Sequence, residues 1–322
     1  MKNNQISTIV IGDIATDIIA YGVDKISGVG ESERGELKIA PGGKAVNISR
    51  MIAALNESKN IAILGINSKD PYNLWTLPLN SLKESGINTN YVQLVSFEKS
   101  NKFAHTTIIV ADKNGNHQIY GLRGINDDFS PSDIDRAAPL FESAEINNGI
   151  VVATLVMPYK TVLHAVRTAN KHNLKVLLEM GGVDENLDYT KLFKEKIFLI
   201  KPNEYEAKKL TGIEVRDFNT AKKAASTLLR NNIDNVLITH GEHGGYLFNK
   251  SLGIHLPSPA IKTNSAKDAI GCGDQTIAAL AAALINNKNV LEAAKIGILA
   301  GTLQFGKNGI VPITKKELEK YR

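Results

Sequence analysis

The sequence predicts an α/β protein: a mostly parallel central sheet with helices on both faces and a small β-lid over its carboxyl edge. Three observations carry that prediction. Short β-branched runs with little polar alternation recur along the chain, as expected of strands buried on both faces. Segments with helical periodicity separate them, the order of a layered α/β domain. Two stretches, Asp17–Ala40 and Ser96–Gly124, have no strong helix and carry turn signals instead.

In chain order, "STIVIG" (Ser7–Gly12) supplies the first strand, and its short apolar run suits a buried strand better than a secretion signal. A helix over Ala45–Leu55 follows the Gly42–Gly43 turn, then a strand at Ile61–Gly65 and a helix over Trp75–Glu84. In the second helix-poor stretch, "HTTIIVA" and "QIYGL" flank "DKNGNH" (Asp112–His117) and read as a hairpin. Strand and helix then alternate: Gly149–Thr154, Lys160–Lys171, Lys175–Glu179, Ile197–Lys201, Glu204–Leu210, Thr220–Asn231 and Asn235–His240. A smooth apolar helix begins near Asp274. The two helix-poor pieces, about 17–40 and 96–124, together form the expected lid. With no repeat or Pro/Gly-rich linker, residues 1–322 read as a single domain.

Composition narrows the function classes. The chain has 322 residues, 43% hydrophobic and 22% charged, which is ordinary for a globular protein. Its net charge of +5 is spread along the chain, with no Lys/Arg block and no interleaved aromatics, so nucleic acid is not an expected partner. The lone cysteine, Cys272, excludes an intramolecular disulfide and a cysteine metal cluster and suits a reducing cytoplasm. Apolar stretches such as "TIAALAAALI" fall short of the roughly 20 residues a membrane span requires. The expectation is a soluble, cytoplasmic protein.

Four motifs carry chemistry. "APGGKAVNISRMIAALN" (Ala40–Asn56) turns on Gly42 and Gly43 into a helix, where backbone amides can approach a small ligand and Lys44 and Asn47 offer donors. A plain tight turn is the alternative. "KPNEYEAKKLTG" (Lys201–Gly212) follows a strand; Asn203 and Glu206 form a capping box or, equally, order water around Mg²⁺. "ITHGEHGGYLF" (Ile238–Phe248) leaves a strand through glycines that let a phosphate or flat base lie against bare backbone. His240 and His243 lack a third metal ligand and read as packed or solvated. In "DAIGCGD" (Asp268–Asp274), Asp274 is an N-cap, or a base beside backbone N–H groups that hold an anion.

In this order and spacing the motifs resemble the PfkB carbohydrate kinase family, the ribokinase-like sugar kinases. "GGKAVNIS" looks like the family's first signature and "DAIGCGD" its second; "KPNEYEAKKLTG" and "THGEHGG" look like its Asn-x-x-Glu segment and nucleotide turn. The likeness runs from about Ile9 to Pro312. It implies a ribokinase-like three-layer α/β/α sandwich and an ATP-dependent kinase of a small sugar, with a nucleoside kinase or a non-catalytic binding regulator as alternatives. It aligns Asp274 with the catalytic base and Gly271, Cys272 and Gly273 with the anion hole. Asn203, Glu206, Thr239, Gly241 and Gly244 align with ATP-binding positions, Glu206 serving Mg²⁺ through water. Asp17, Gly42, Gly43, Lys44 and Asn47 align with the acceptor-binding surface. Arg50 and Arg123 are further candidates should the acceptor carry a phosphate.

Departures from the pattern are Ala269 and Cys272 inside the second signature, and Gln275–Thr276 after it, where the family has a small residue and then Phe. Cys272 reads as a small buried residue. "GKNGIVPITKKELE" follows only loosely a segment that binds a monovalent cation in some members. A dinucleotide-dependent dehydrogenase fails at its own motif, since "GDIATD" follows the first strand. Exposed lid strands suggest a homodimer formed through the lid.

Overall fold

The computed structural model describes residues 5–56, 60–113, 116–261, 269–307 and 309–321. Among these residues nine strands build the central sheet, in the order β13-β12-β11-β10-β9-β8-β1-β4-β5. They are β1 (Thr8–Ile11), β4 (Ile61–Lys69), β5 (Val92–Ser96), β8 (Ile150–Thr154), β9 (Lys175–Glu179), β10 (Ile197–Lys201), β11 (Ile233–Thr239), β12 (Gly245–Asn249) and β13 (Gly253–Leu256). All pairs are parallel except β11–β12 and β12–β13, which form an antiparallel edge. That edge was not legible as strands, because "GGYLFN" and "GIHL" are short and set among turn residues.

The helices divide into two layers. On one face α1 (Lys44–Leu55), α2 (Thr76–Glu84), α10 (Cys272–Ile285), α11 (Val290–Phe305) and α12 (Lys315–Glu319) pack on Val10, Ile63, Val152, Leu177, Leu199 and Leu237. On the other, α4 (Pro131–Asp135), α5 (Ala138–Ile146), α6 (Tyr159–Lys171), α7 (Thr190–Phe193), α8 (Glu204–Thr211) and α9 (Phe218–Leu229) pack on Ile9, Ile11, Val151, Leu178, Ile200 and Val236. Alternate residues of the parallel strands thus feed opposite cores, as the pleat requires. The expected three-layer α/β/α sandwich is observed. Its α10 is buried from Asp274 to Leu284, which explains an apolar sequence without a polar face. Among the described residues, no helix is long and apolar enough to cross a membrane.

A second sheet of four strands, β3-β2-β6-β7, stands apart from the first. It comprises β2 (Ala15–Val23), β3 (Glu36–Gly42), β6 (His105–Asp112) and β7 (His117–Leu122). The hairpin read in the sequence is β6–β7, paired antiparallel. Ser96 itself ends β5 in the main sheet, and the short α3 (Phe97–Ser100) intervenes, so the small sheet resumes only at His105.

The chain steps from β1 into the small sheet over Gly12–Ile14, and returns from β3 into α1 through Gly43. The two passages touch. Gly43 has φ +91, and a Cβ there would lie 2.6 Å from the Asp13 carbonyl oxygen and 2.8 Å from the Ala15 nitrogen. Only glycine permits both the dihedral and the approach. Gly43→Ala is expected to cost about 3 kcal/mol of stability, measured by urea unfolding; a loss under about 0.5 kcal/mol would show that the turn relaxes freely.

Candidate active site

A cavity of about 920 Å³ opens where the carboxyl ends of β1, β9, β10 and β11 meet the N-termini of α1, α8 and α10. This is where ligands gather in parallel α/β sheets. The small sheet roofs it with Thr107, Ile109, His117 and Ile119. Every sequence-predicted site residue lines the cavity except Gly42 and the two candidate arginines, Arg50 and Arg123. Gly42 sits behind it, and a Cβ there would fall 2.0 Å from the Asp17 Oδ1. Its missing side chain leaves room for that carboxylate.

Gly271, at φ +79, is the residue from which α10 springs, so Asp274 stands in the first turn rather than at the cap. The Gln275 amide donates to the Gly271 carbonyl at 2.8 Å, and the Cys272 amide to Ala269 at 3.3 Å. Gly273 and Asp274 carry amides of the kind a helix cannot pair internally. The Asp274 carboxylate does not cap its own helix, which corrects the N-cap reading. It turns instead toward α1, where Lys44 Nζ donates to Oδ1 at 3.2 Å and Asn47 Nδ2 to Oδ2 at 3.1 Å. Cys272 is half-buried on the cavity wall rather than buried. Asp268 of the signature lies outside the described residues.

The two departures after Asp274 have different fates. Gln275 is fully buried and faces away from the cavity; its Oε1 accepts from the Ile313 amide at 3.0 Å and ties the C-terminal segment to α10. It therefore does not alter a ligand contact. Thr276 lines the cavity and fills a notch in α11 left by Gly301, where a Cβ would lie 2.2 Å from its Oγ1.

Beneath Asp274 runs a row of alternating charge. Lys44 Nζ lies 3.4 Å from Glu179 Oε2, and Lys201 Nζ lies 3.4 Å from Glu179 Oε1. The side chains of Glu179 and Lys201 are each only 2% exposed. The Gly181 amide donates to Glu179 Oε2 at 2.8 Å. Gly181 also leaves the space through which Lys44 reaches, since its Cβ would fall 2.2 Å from Lys44 Cε. Burial raises the Asp274 carboxyl above its ordinary range and Glu179 adds to that, with Lys44 and Asn47 opposing. Burial works against the charge on Lys44, yet Asp274 and Glu179 hold its ammonium well above the usual lysine value. Lys201 Nζ ends 3.3 Å from where a Cβ on Gly273 would stand, putting positive charge under the first turn of α10.

At the other end, Asn203 and Glu206 do form the capping box, each side chain accepting from the other's amide at 2.8 Å. Glu206 nevertheless faces the cavity, and burial together with nearby Glu179 raises its carboxyl. The Thr239 amide donates to Pro202, which fixes the β11 exit beside α8. The two glycines beyond it differ. Gly241 has open space, whereas a Cβ on Gly244 would meet the Leu256 carbonyl at 2.2 Å, so Gly244 serves chain packing as well as the cavity wall. His240 bonds Tyr246 at 3.4 Å, and among the described residues no cluster of three or more His, Cys, Asp or Glu could hold a metal.

Under the small sheet Asp17 projects from β2. Burial pushes its carboxyl up to about 6, with Thr107 opposing and the charges of Asp13 and Asp274 adding to the rise. Arg123 pairs with Asp127 and does not line the cavity. Arg50 instead lines an adjoining chamber of about 320 Å³ with Lys38 and Lys113.

Glu179, Lys201, Asp13 and His105 were not singled out in the sequence. A signal existed for three: each is a charged residue at, or just beyond, the carboxyl end of an apolar strand run. His105 gave none, because its approach depends on how the small sheet folds over the large one.

The family described as pfkB family carbohydrate kinase matches residues 5–316. A deoxyribokinase of Salmonella typhi is 30% identical over 291 residues, covering 90% of this chain and 89% of that protein. A ribokinase of Bacillus subtilis is 27% identical over 323 residues, with 97% of each covered. An Arabidopsis thaliana ribokinase, solved with ribose and ATP, superposes with a TM-score of 0.81 at 22% identity and covers 98% of both chains. A Giardia lamblia ribokinase reaches 0.85 at 19% identity with the same coverage. These two structures speak for the fold alone.

The electrostatics make a prediction that needs no ligand. Between its ordinary 3.8 and about 6, folded Asp17 holds a proton that the unfolded chain has released. Stability therefore falls as pH rises through that window and stays lower above it. The shift is worth about 3 kcal/mol at 1.36 kcal/mol per pH unit. Asp17→Asn imitates the protonated form, so it should stabilise by up to that amount at pH 8 and hardly at all at pH 4. Urea unfolding at both pH values checks it; a gain equal at the two would assign the effect elsewhere.

Proposed function

The chain belongs to the pfkB family of carbohydrate kinases and is an ATP-dependent carbohydrate kinase; on that premise we propose that Asp274 is the base that activates its acceptor hydroxyl. The supporting observation is the double hold on its carboxylate. Lys44 and Asn47 fix both oxygens at the mouth of α10, facing a cavity of about 920 Å³. A carboxyl raised by burial is suited to taking a proton near neutral pH. Lys44 opposes that rise and favours the ionised form.

The acceptor lies between Asp17 and Asp274 under the small sheet, which acts as the lid. Gly42 and Gly43 shape that side, and Lys44 and Asn47 serve it by holding the base. The nucleotide lies toward Asn203, Thr239, Gly241 and Gly244. Backbone amides of Gly271, Gly273 and, on release from the Ala269 carbonyl, Cys272, at the positive end of α10 and above the Lys201 ammonium, stabilise charge on the transferring phosphoryl group. Asp274 takes the hydroxyl proton as the oxygen attacks in line. Closure of the lid excludes water and limits wasteful ATP hydrolysis.

Mg²⁺ suits Glu206. A single carboxylate fixed by Asn203 and crowded by Glu179 offers the sparse oxygen set that magnesium completes with water and phosphates. When bound, the metal would neutralise phosphate charge. The acceptor we propose is a free pentose, from the activities named for the deoxyribokinase and ribokinase relatives; a nucleoside is the second choice.

ADP release from Mg·ATP, measured across free sugars, sugar phosphates and nucleosides, tests this. Acceptor-dependent release should fall at least about a thousandfold in Asp274→Asn, while ATP affinity changes only a few-fold. Turnover surviving within about tenfold would remove Asp274 from the role of base. Nucleotide binding without release on any acceptor would favour a binding-only regulator.

A homodimer through the lid is the assembly we propose. Its outer face leaves Leu37, Ile39, Ile108, Tyr120 and Leu122 exposed, and the strand register sets Ile39, Ile18, Ile108 and Tyr120 in one row. Light scattering at micromolar concentration should give twice the chain mass, reverting to one chain mass in Ile108→Glu/Tyr120→Glu. A monomeric wild type would refute the dimer.

A further inference from the structure

Asp13 and His105 come together in the acceptor half of the cavity, and the kinase chemistry above uses neither. Asp13 stands where the chain leaves β1 for the small sheet, and His105 opens β6 in that sheet. Both line the cavity, and they are only 3% and 4% exposed. Asp13 Oδ2 accepts from the Lys44 amide at 3.1 Å, and His105 Nδ1 lies 3.8 Å from the same oxygen, beyond hydrogen-bond reach. Two buried polar atoms are left without a partner: Asp13 Oδ1 and His105 Nδ1.

We propose that Asp13 and His105 form a hydroxyl-reading pair that selects an uncharged polyol acceptor, a role that rests on the kinase reading. A buried polar atom without a partner is costly, so an acceptor whose group reaches in and satisfies both is favoured. A hydroxyl does so alone, donating to the carboxylate and accepting from the ring N–H. An ether or carbonyl oxygen only accepts and leaves Asp13 unmet. Burial holds the His105 imidazole below its ordinary value although Asp13 opposes the shift, so the ring is neutral and offers one N–H.

A phosphate or carboxylate on the acceptor here would face Asp13, Asp17 and Asp274 together, the two others being close enough to raise Asp17. The same backbone unit also sets register. Lys44 gives its amide to Asp13 and its ammonium to Asp274, so a hydroxyl held by Asp13 is placed relative to the base through one residue.

The test is titration calorimetry of wild type, Asp13→Asn and His105→Ala with D-ribose, its 2-, 3- and 5-deoxy forms, a hexose panel and ribose 5-phosphate. Asp13→Asn keeps an oxygen for the Lys44 amide, and thermal melts confirm that both variants are folded. One deoxy form should bind wild type about 10- to 100-fold more weakly than its parent sugar. The variants should lose a similar factor on the parent yet bind that deoxy form as wild type does. Equal losses across all sugars, or no loss on any, would overturn the pair and leave a structural or water-holding role. Binding of ribose 5-phosphate with no uncharged sugar bound, or no binding by any uncharged sugar, would overturn it too. ADP release on the same ligands separates the two readings. Selective binding without release sinks the kinase mechanism and keeps the pair, whereas release with non-selective losses does the reverse.

Discussion

The site depends on a row of four charges, Asp274–Lys44–Glu179–Lys201, that alternates in sign and in which all but the half-buried Lys44 are buried. Each ion alone would be expensive to take out of water, and removing one would leave its neighbours uncompensated. The row also connects elements far apart in the chain. It joins the start of α1 to the ends of β9 and β10 and to the first turn of α10. Placing these residues correctly therefore requires the parallel sheet and the helix layer above it to be complete. Catalytic geometry and tertiary structure are here specified by the same contacts.

Small residues make the row possible. Gly181 leaves the channel for Lys44, Gly273 leaves room above Lys201, and Gly43 lets the entrance of α1 pass against the chain leaving β1. Glycines near a phosphate site are commonly assigned to the ligand. In this chain several of them serve side chains of the protein itself, and Gly42 makes room for Asp17 rather than lining the cavity.

Much of this was legible in advance. The parallel strands carry apolar runs buried on both faces, and α1 and α10 follow glycine turns that mark their starts. The capping box at Asn203 and Glu206 appeared as its spacing indicates. What escaped the sequence was pairing across distance. Nothing in "KVLLE" or "KPN" says that Glu179 and Lys201 neutralise one another, and nothing near His105 says that it faces Asp13. Gln275 illustrates the converse: it stands next to Asp274, but a helix turns successive side chains by about 100°, and Gln275 points to Ile313. The antiparallel edge β12–β13 was missed because short strands bounded by glycines carry little periodic signal.

The two walls of the cavity are built from different material. The floor is a set of interlocked ions in which no member can change alone. The roof is a β-ribbon contributing Thr107, Ile109 and Ile119, none of them bound into the charge row. Heritable variation is therefore unequally available to the two. Lineages descending from such a chain can explore new acceptors by exchanging roof residues one at a time while the chemistry beneath stays fixed. A fold arranged in this way separates innovation from function, which gives one physical route for a single kinase scaffold to diversify among sugars.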